Sequence, residues 1–164
     1  MSHCLSSPAV MASLTNQTAG SEWRKRDECR LEAKRSCSKN AGFKMTAQEF
    51  FSAYQKGTRQ FKEMDFEYLP GFSGVDLSDV VIEDSWFNVD CRGSKFRNAK
   101  FIRCNIKEID LREADLTGAE MTECLVECAQ FKGAIVENFR FYKNYYYGLT
   151  LEQKDLQALM GREK

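Results

Sequence analysis

Histidine is nearly absent from this sequence: the 164 residues hold one, His3, close to the N-terminus. There is no phosphate-binding loop, and no nucleophile has an evident base beside it, so the parts of a catalytic site are missing. We expect neither enzymatic activity nor a cofactor. Net charge is also missing, since 24 Lys and Arg balance 24 Asp and Glu. No overall field then draws the chain to nucleic acid or to an anionic membrane. No stretch approaches the roughly 18 consecutive apolar residues of a membrane helix, and no long apolar h-region marks a secretory signal. The seven cysteines form no CxxC pair, which leaves no zinc or redox signature. A cytoplasmic protein under reducing conditions is the simplest expectation. An organelle destination is the alternative if residues 1–44 are a transit segment.

Residues 1–44 show Ser, Thr and Asn clusters followed by a mixed-charge run, with no sustained apolar period. They read as a disordered tail or as an extension upstream of a start at Met45. The acids Glu22, Asp27, Glu28 and Glu32 weigh against a transit peptide. Thr46-Ala-Gln-Glu49 then has the form of a capping box, which predicts a helix carrying Phe50, Phe51 and Tyr54. Gly57 should end it before Phe61. Residues 45–69 are thus expected to form an N-terminal helical cap.

From Phe72 the periodicity changes. Large apolar residues recur at Phe72, Leu77, Ile82 and Phe87, then at Cys91, Phe96, Phe101, Ile106, Leu111, Leu116, Met121, Val126, Phe131, Val136, Phe141 and Tyr146. A period of five belongs to neither an α-helix nor a β-strand. Two positions earlier stands a mostly small residue, among them Ser94, Ala99, Cys104, Ala114, Ala119, Cys124 and Ala129. One step, Phe87 to Cys91, is four residues rather than five.

This pattern over residues 70–147 resembles the pentapeptide-repeat family, whose usual unit reads Ala-(Asp or Asn)-Leu-x-x. Its clearest copies are Ala114-Asp115-Leu116-Thr117-Gly118 and Ala119-Glu120-Met121-Thr122-Glu123. The resemblance implies an all-β solenoid, a right-handed quadrilateral β-helix of about four coils. Such coils rise by about 4.8 Å, the spacing of hydrogen-bonded strands. Residues 20 apart then stack, or 19 apart across the short step. Cys104 and Cys124 fall in one small-residue column and read as packing, whereas Cys128 is expected to point outward.

Stacking also changes the meaning of the charges. A basic block (Arg92, Lys95, Arg97, Lys100, Arg103, Lys107) and the acidic block that follows it become ladders of opposite sign. Asp76, Lys95 and Asp115 make one; Lys100, Glu120 and Arg140 another; Asp84, Arg103, Glu123 and Lys143 a third; Lys107 meets Glu127. One column departs from the rule, with Arg92, Arg112 and Lys132 in line beside Asp90 and Asp110. That stripe is a candidate partner contact.

The C-terminal aromatics Tyr142, Tyr145 and Tyr147 are a second candidate contact. Two readings stay open for this end: an aromatic floor under a capping helix over residues 148–164, or a homodimer or partner interface. Thr150-Leu-Glu-Gln153 is expected to cap that helix and Gly161 to stop it. The functional expectation is a non-catalytic protein-interaction or scaffolding module with an unidentified protein partner. The alternative implied by the family is a DNA-mimicking modulator of gyrase, a type II topoisomerase. Against it, residues 72–147 carry 13 acids and 10 bases, only three negative charges in excess.

Overall fold

The computed structural model describes residues 43–66 and 70–161. The predicted tail and transit reading therefore lie outside the described residues, except at residues 43 and 44. Helix α1 (Ala47–Gln55) starts as its sequence dictates. The Thr46 hydroxyl accepts from Glu49 N–H at 3.2 Å, and Glu49 Oε2 accepts from Thr46 N–H at 2.8 Å. Gly57 takes a left-handed φ of 98° just beyond the C-cap. The helix buries Phe50 completely, and that ring packs against Phe61, Phe66 and Phe72. The Tyr54 hydroxyl donates to Ser78 O at 2.8 Å, pinning α1 onto the solenoid.

Below α1 the chain winds into a four-sided β-solenoid of about four turns. Strands β2 (Gln60–Lys62), β4 (Val81–Glu83), β5 (Lys100–Ile102), β6 (Glu120–Thr122) and β7 (Arg140–Tyr142) pair in that order, all parallel, and make one face. The sheet thus already includes Gln60–Lys62, ahead of residue 70, where the five-residue period becomes visible in sequence. Short β1 (Phe43–Lys44) pairs in parallel with β3 (Met64–Asp65). The other faces are held by single bridges, such as Asp76–Lys95–Asp115–Ile135 and Asp65–Trp86–Asn105–Leu125–Tyr145.

The registers locate the short step. Val81 pairs with Lys100 and Trp86 with Asn105, a spacing of 19; from Asp90–Asp110 onward the spacing is 20. Backbone torsions show what is missing. Each centre of the period is followed two residues later by a left-handed residue, for example Asp79, Asp84, Gly93, Asn98, Glu108, Gly118 and Glu123. Phe87 is the exception, because the residue that would fill that corner does not exist. A left-handed corner costs a non-glycine residue about 1–2 kcal/mol, which explains the glycines at Gly74, Gly93, Gly118 and Gly133.

The period-five side chains fill the interior. From Phe72 to Tyr146 every one is fully buried except the half-buried Val136, in the last coil. Burying a Leu, Ile or Phe contributes about 1.5–3 kcal/mol, so this column of side chains is the main cohesive force.

The C-terminal end departs from expectation. Tyr147 (φ 45°) and Gly148 (φ 80°) form a tight turn that folds β9 (Leu149–Leu151) antiparallel onto β8 (Asn144–Tyr146). Thr150 consequently pairs with Tyr145 in a hairpin instead of capping a helix. The cap lies lower: Glu152 N–H donates to Asp155 Oδ2 at 2.9 Å ahead of a 3₁₀ turn (Gln153–Asp155) and helix α2 (Leu156–Met160). Gly161 ends α2 as predicted, and Leu151, Leu156 and Leu159 close the floor of the core.

Candidate functional site

The outward side chains differ from face to face. They flank each buried centre, one before it and one after. An Asp or Asn before the centre accepts from the backbone N–H of the residue after it: Asp76 from Ser78, Asp90 from Arg92, Asn105 from Lys107, Asp110 from Arg112 and Asp115 from Thr117, all at 3.0–3.2 Å. This short-range acceptor favours Asp or Asn at the position because it ties down the start of each corner.

The predicted ladders form in part, with changes of partner. Arg103 grips Asp84 at 2.6 and 2.9 Å, Lys95 approaches Asp76 at 3.7 Å, and Lys107 pairs with Glu127. Glu120 takes Arg140, its predicted partner below. Asp115 takes Arg97 at 2.6 Å in place of Lys95, because the guanidinium on the neighbouring column reaches both the carboxylate and solvent. Hydrogen bonds hold the carboxyls below the usual range: from Arg103 for Asp84, from Arg92 for Asp90, and from the Thr117 hydroxyl for Asp115. At Asp110, burial pushes the pKa upward, but the hydrogen bonds from Arg112 outweigh it and the net shift is downward.

The predicted basic stripe is present but neutralised. Arg92 holds both oxygens of Asp90 and lies 3.8 Å from Asp110; Arg112 holds both oxygens of Asp110. Lys132 continues the column as an exposed residue on the next rung. The three candidate tyrosines do not form one patch. Tyr142 lies on the five-stranded face and donates to Glu120 Oε1 at 2.7 Å. Tyr145 stands on the adjacent face, and Tyr147, 48% exposed, is at its lower corner with its N–H on Glu127.

That adjacent face is the least charged. Its outward column reads Trp86, Asn105, Leu125, Tyr145 below Asp65. Sequence reading missed it because Trp86, Leu125 and Tyr145 lie 39 and 20 residues apart. It missed Asn144 as well, although the position two before Tyr146 belongs to the small-residue column. Asn144 is fully buried, accepts from Cys124 N–H and donates to Met121 O, both at 2.9 Å.

Cys104 and Cys124 stack in that same column as buried free thiols, with Cys104 N–H directed at Cys124 Sγ at 3.4 Å. Burial pushes the Cys91 thiol pKa well up. Cys128, expected to face solvent, is nearly buried at a left-handed corner with Sγ 3.4 Å from the Tyr147 hydroxyl.

Beside the short corner lies a groove of about 570 Å³. Its walls include Gly71, Ser73, Asn88, Arg92, Glu108 and Arg112. Asn88 is 8% exposed, and its Oδ1 is sealed from solvent without a hydrogen-bond donor among the described residues. Trp86 Nε1, on the other side of Phe87, is likewise buried without an acceptor among the described residues.

A parallel solenoid with four faces, a largely apolar interior and a left-handed residue at every corner but the one after Phe87 is a rigid repeat scaffold. Its repeats are pentapeptide repeats: the family model of that description matches residues 94–138 in eight copies. Among solved structures the chain is similar to HetL, a pentapeptide repeat protein involved in heterocyst differentiation regulation in Nostoc sp. strain PCC 7120. That likeness has 23% identity and a TM-score of 0.47, over 61% of this chain and 44% of HetL. Rfr23 from Cyanothece 51142 gives 19% and 0.44, over 53% of this chain and 56% of Rfr23. QnrB1, a plasmid-mediated fluoroquinolone resistance protein, gives 14% and 0.27, over 53% of this chain and 59% of QnrB1. The chain thus spans about half the length of each, and at these identities the likeness concerns fold alone. No curated protein matches the chain.

Proposed function

We propose that this chain is a non-catalytic protein-interaction or scaffolding module that meets its partner through the Trp86–Leu125–Tyr145 face and the neighbouring Tyr147. One observation carries the reading. The outward ions elsewhere are largely satisfied by each other, whereas this column carries the half-buried Trp86, Leu125 and Tyr145 around the buried Asn105, with the exposed Tyr147 at its corner. Aromatic anchors on a rigid surface lose little conformational freedom on binding, which suits them to carry recognition. The Arg92, Arg112, Lys132 column is the polar flank of the same proposal. Among the described residues no helix is long and apolar enough to cross a membrane.

Gyrase mimicry gains no support here, because Asp84, Asp90, Asp110, Asp115, Glu120 and Glu127 are each engaged by a cation and so make no phosphate-like stripe. A photo-crosslinking amino acid at position 125 tests the interaction reading, with position 97 as control. Reproducible crosslinks to one protein from 125 and none from 97 are expected. Equal or absent crosslinking at both positions refutes it.

A further inference from the structure

We propose that the lower edge of the solenoid at Ala134–Asn138 is a docking site for an extended segment of a protein partner, which adds there as a parallel strand reading apolar, apolar, basic. This surface lies on the side of the square opposite the Trp86–Leu125–Tyr145 column, and neither proposal depends on the other.

The hydrogen bonds of the coils above define what the last coil lacks. On this side each coil offers three backbone groups downward, and the coil beneath fills all three at 2.7–2.9 Å. Val75 O, Leu77 N–H and Asp79 N–H meet Lys95 N–H, Lys95 O and Arg97 O. Ser94 O, Phe96 N–H and Asn98 N–H meet Asp115 N–H, Asp115 O and Thr117 O, and Ala114 O, Leu116 N–H and Gly118 N–H meet Ile135 N–H, Ile135 O and Glu137 O. In the last coil the equivalent groups are Ala134 O, Val136 N–H and Asn138 N–H, which have no partner among the described residues. The chain closes other sides instead, with Gln153 on Phe141 N–H and β9 on β8. Such a row of open donors and acceptors is completed by another extended backbone.

Side chains give that segment its sequence. The register of the coils places its first residue under Ile135, its second under Val136 and its third under Glu137. Ile135 is 48% exposed at the foot of the charged column Asp76, Lys95, Asp115, so an apolar residue beneath it covers surface that water now meets. Val136 is the one period-five residue that the floor of Leu151, Leu156 and Leu159 leaves half-buried, so the inward second residue is apolar as well. Glu137 is exposed and has no cation among the described residues, which makes the third residue basic. A second copy of the chain does not fit this edge: two solenoids would have to close to about 4.8 Å while each carries α2 under its core. A single strand needs only the rim beside α2.

Acetyl-Thr-Ile-Val-Arg-Thr-amide, titrated into the full ¹⁵N-labelled chain, tests this by NMR. The control is the same peptide N-methylated at isoleucine, which removes the donor to Ala134 O and leaves the protein untouched. Saturable shifts of the Val136 and Asn138 amides are expected from the parent peptide and none from the control. Replacing the peptide's arginine by glutamate should weaken binding about fivefold, and Glu137→Lys should restore it. Equal binding of parent and control, shifts centred elsewhere, or no saturable shift overturns the proposal. It falls too if these amides shift with protein concentration in the absence of peptide, which assigns the edge to a second copy. Protection of both amides from exchange in the free chain at every dilution assigns the edge to a segment of this chain and overturns it as well. Crosslinking at position 125 reads only the opposite face.

Discussion

Gln153 Oε1 accepts a hydrogen bond from Phe141 N–H at 2.8 Å, so a side chain beyond the last coil occupies the donor that a further coil would have taken. Glu152 Oε2 approaches Lys143 N–H, at the corner just after that strand, at 3.4 Å, and β9 covers the adjoining face. An unpaired parallel edge is a template for self-association, and here side chains blunt it. Gln153→Ala should cost about 0.5–1.5 kcal/mol, the net value of one hydrogen bond, while raising concentration-dependent association more visibly. Thermal melts together with sedimentation velocity check both effects.

Asn144 predicts a larger penalty. Asn144→Ala strands the buried Cys124 N–H and Met121 carbonyl and opens a small cavity, for a loss of about 2–4 kcal/mol. Asn144→Asp should be as damaging near neutral pH, because its carboxylate would face the Met121 carbonyl. Urea denaturation at matched pH measures the loss.

At the corners, Gly118 has φ 69°, and an added Cβ would stand 2.6 Å from Asn98 Oδ1. The side-chain amide can swing aside, but the torsion strain remains. Gly118→Ala should therefore cost about 1–2 kcal/mol. Glu113→Gly, at φ 60°, removes the same kind of strain and should be near neutral or stabilising, since added unfolded-state freedom offsets part of the gain. The pair of variants, measured by chemical denaturation, separates backbone strain from lost contacts.

The ladders give a pH dependence. Asp84, Asp90, Asp110 and Asp115 all have folded-state pKa values below the model-compound value. Their contribution is therefore fully present above about pH 4 and is lost as pH falls through the lower folded values. The melting temperature should hold through the mildly acidic range and drop below about pH 4. Asp84→Asn should flatten that acid limb, because Asp84 is partly sheltered and gripped by two Arg103 nitrogens. Melting curves between pH 2 and 7 decide it.

The solenoid was legible because a period of five at Phe96, Phe101, Ile106 and Leu111 fits no other regular structure. The missing residue after Phe87 could be read from the same spacing, and the registers at Trp86–Asn105 and Asp90–Asp110 bracket it. The charge partners were harder to read. Stacking logic pairs residues one coil apart, whereas Arg92 and Arg112 turn to Asp90 and Asp110 two residues back, a relation written in the repeated Asp-x-Arg. The hairpin at Tyr147–Gly148 was hidden because Thr150–Gln153 also satisfies a helix-capping pattern; only the left-handed torsions at the turn distinguish the two. Trp86, Leu125 and Tyr145 carry no local signal as a group and become neighbours only after winding.

Because each five-residue unit turns the chain through one side of the square, insertions and deletions act on this molecule as rotations. Losing one residue after Phe87 was absorbed at a corner and left every later side chain on its own face. Losing five would turn all that follows by a quarter circle, bringing Gln130 under Asn105 in place of Leu125. The surface is therefore addressed by counting modulo twenty, and length changes of whole coils are the ones that preserve its pattern of faces.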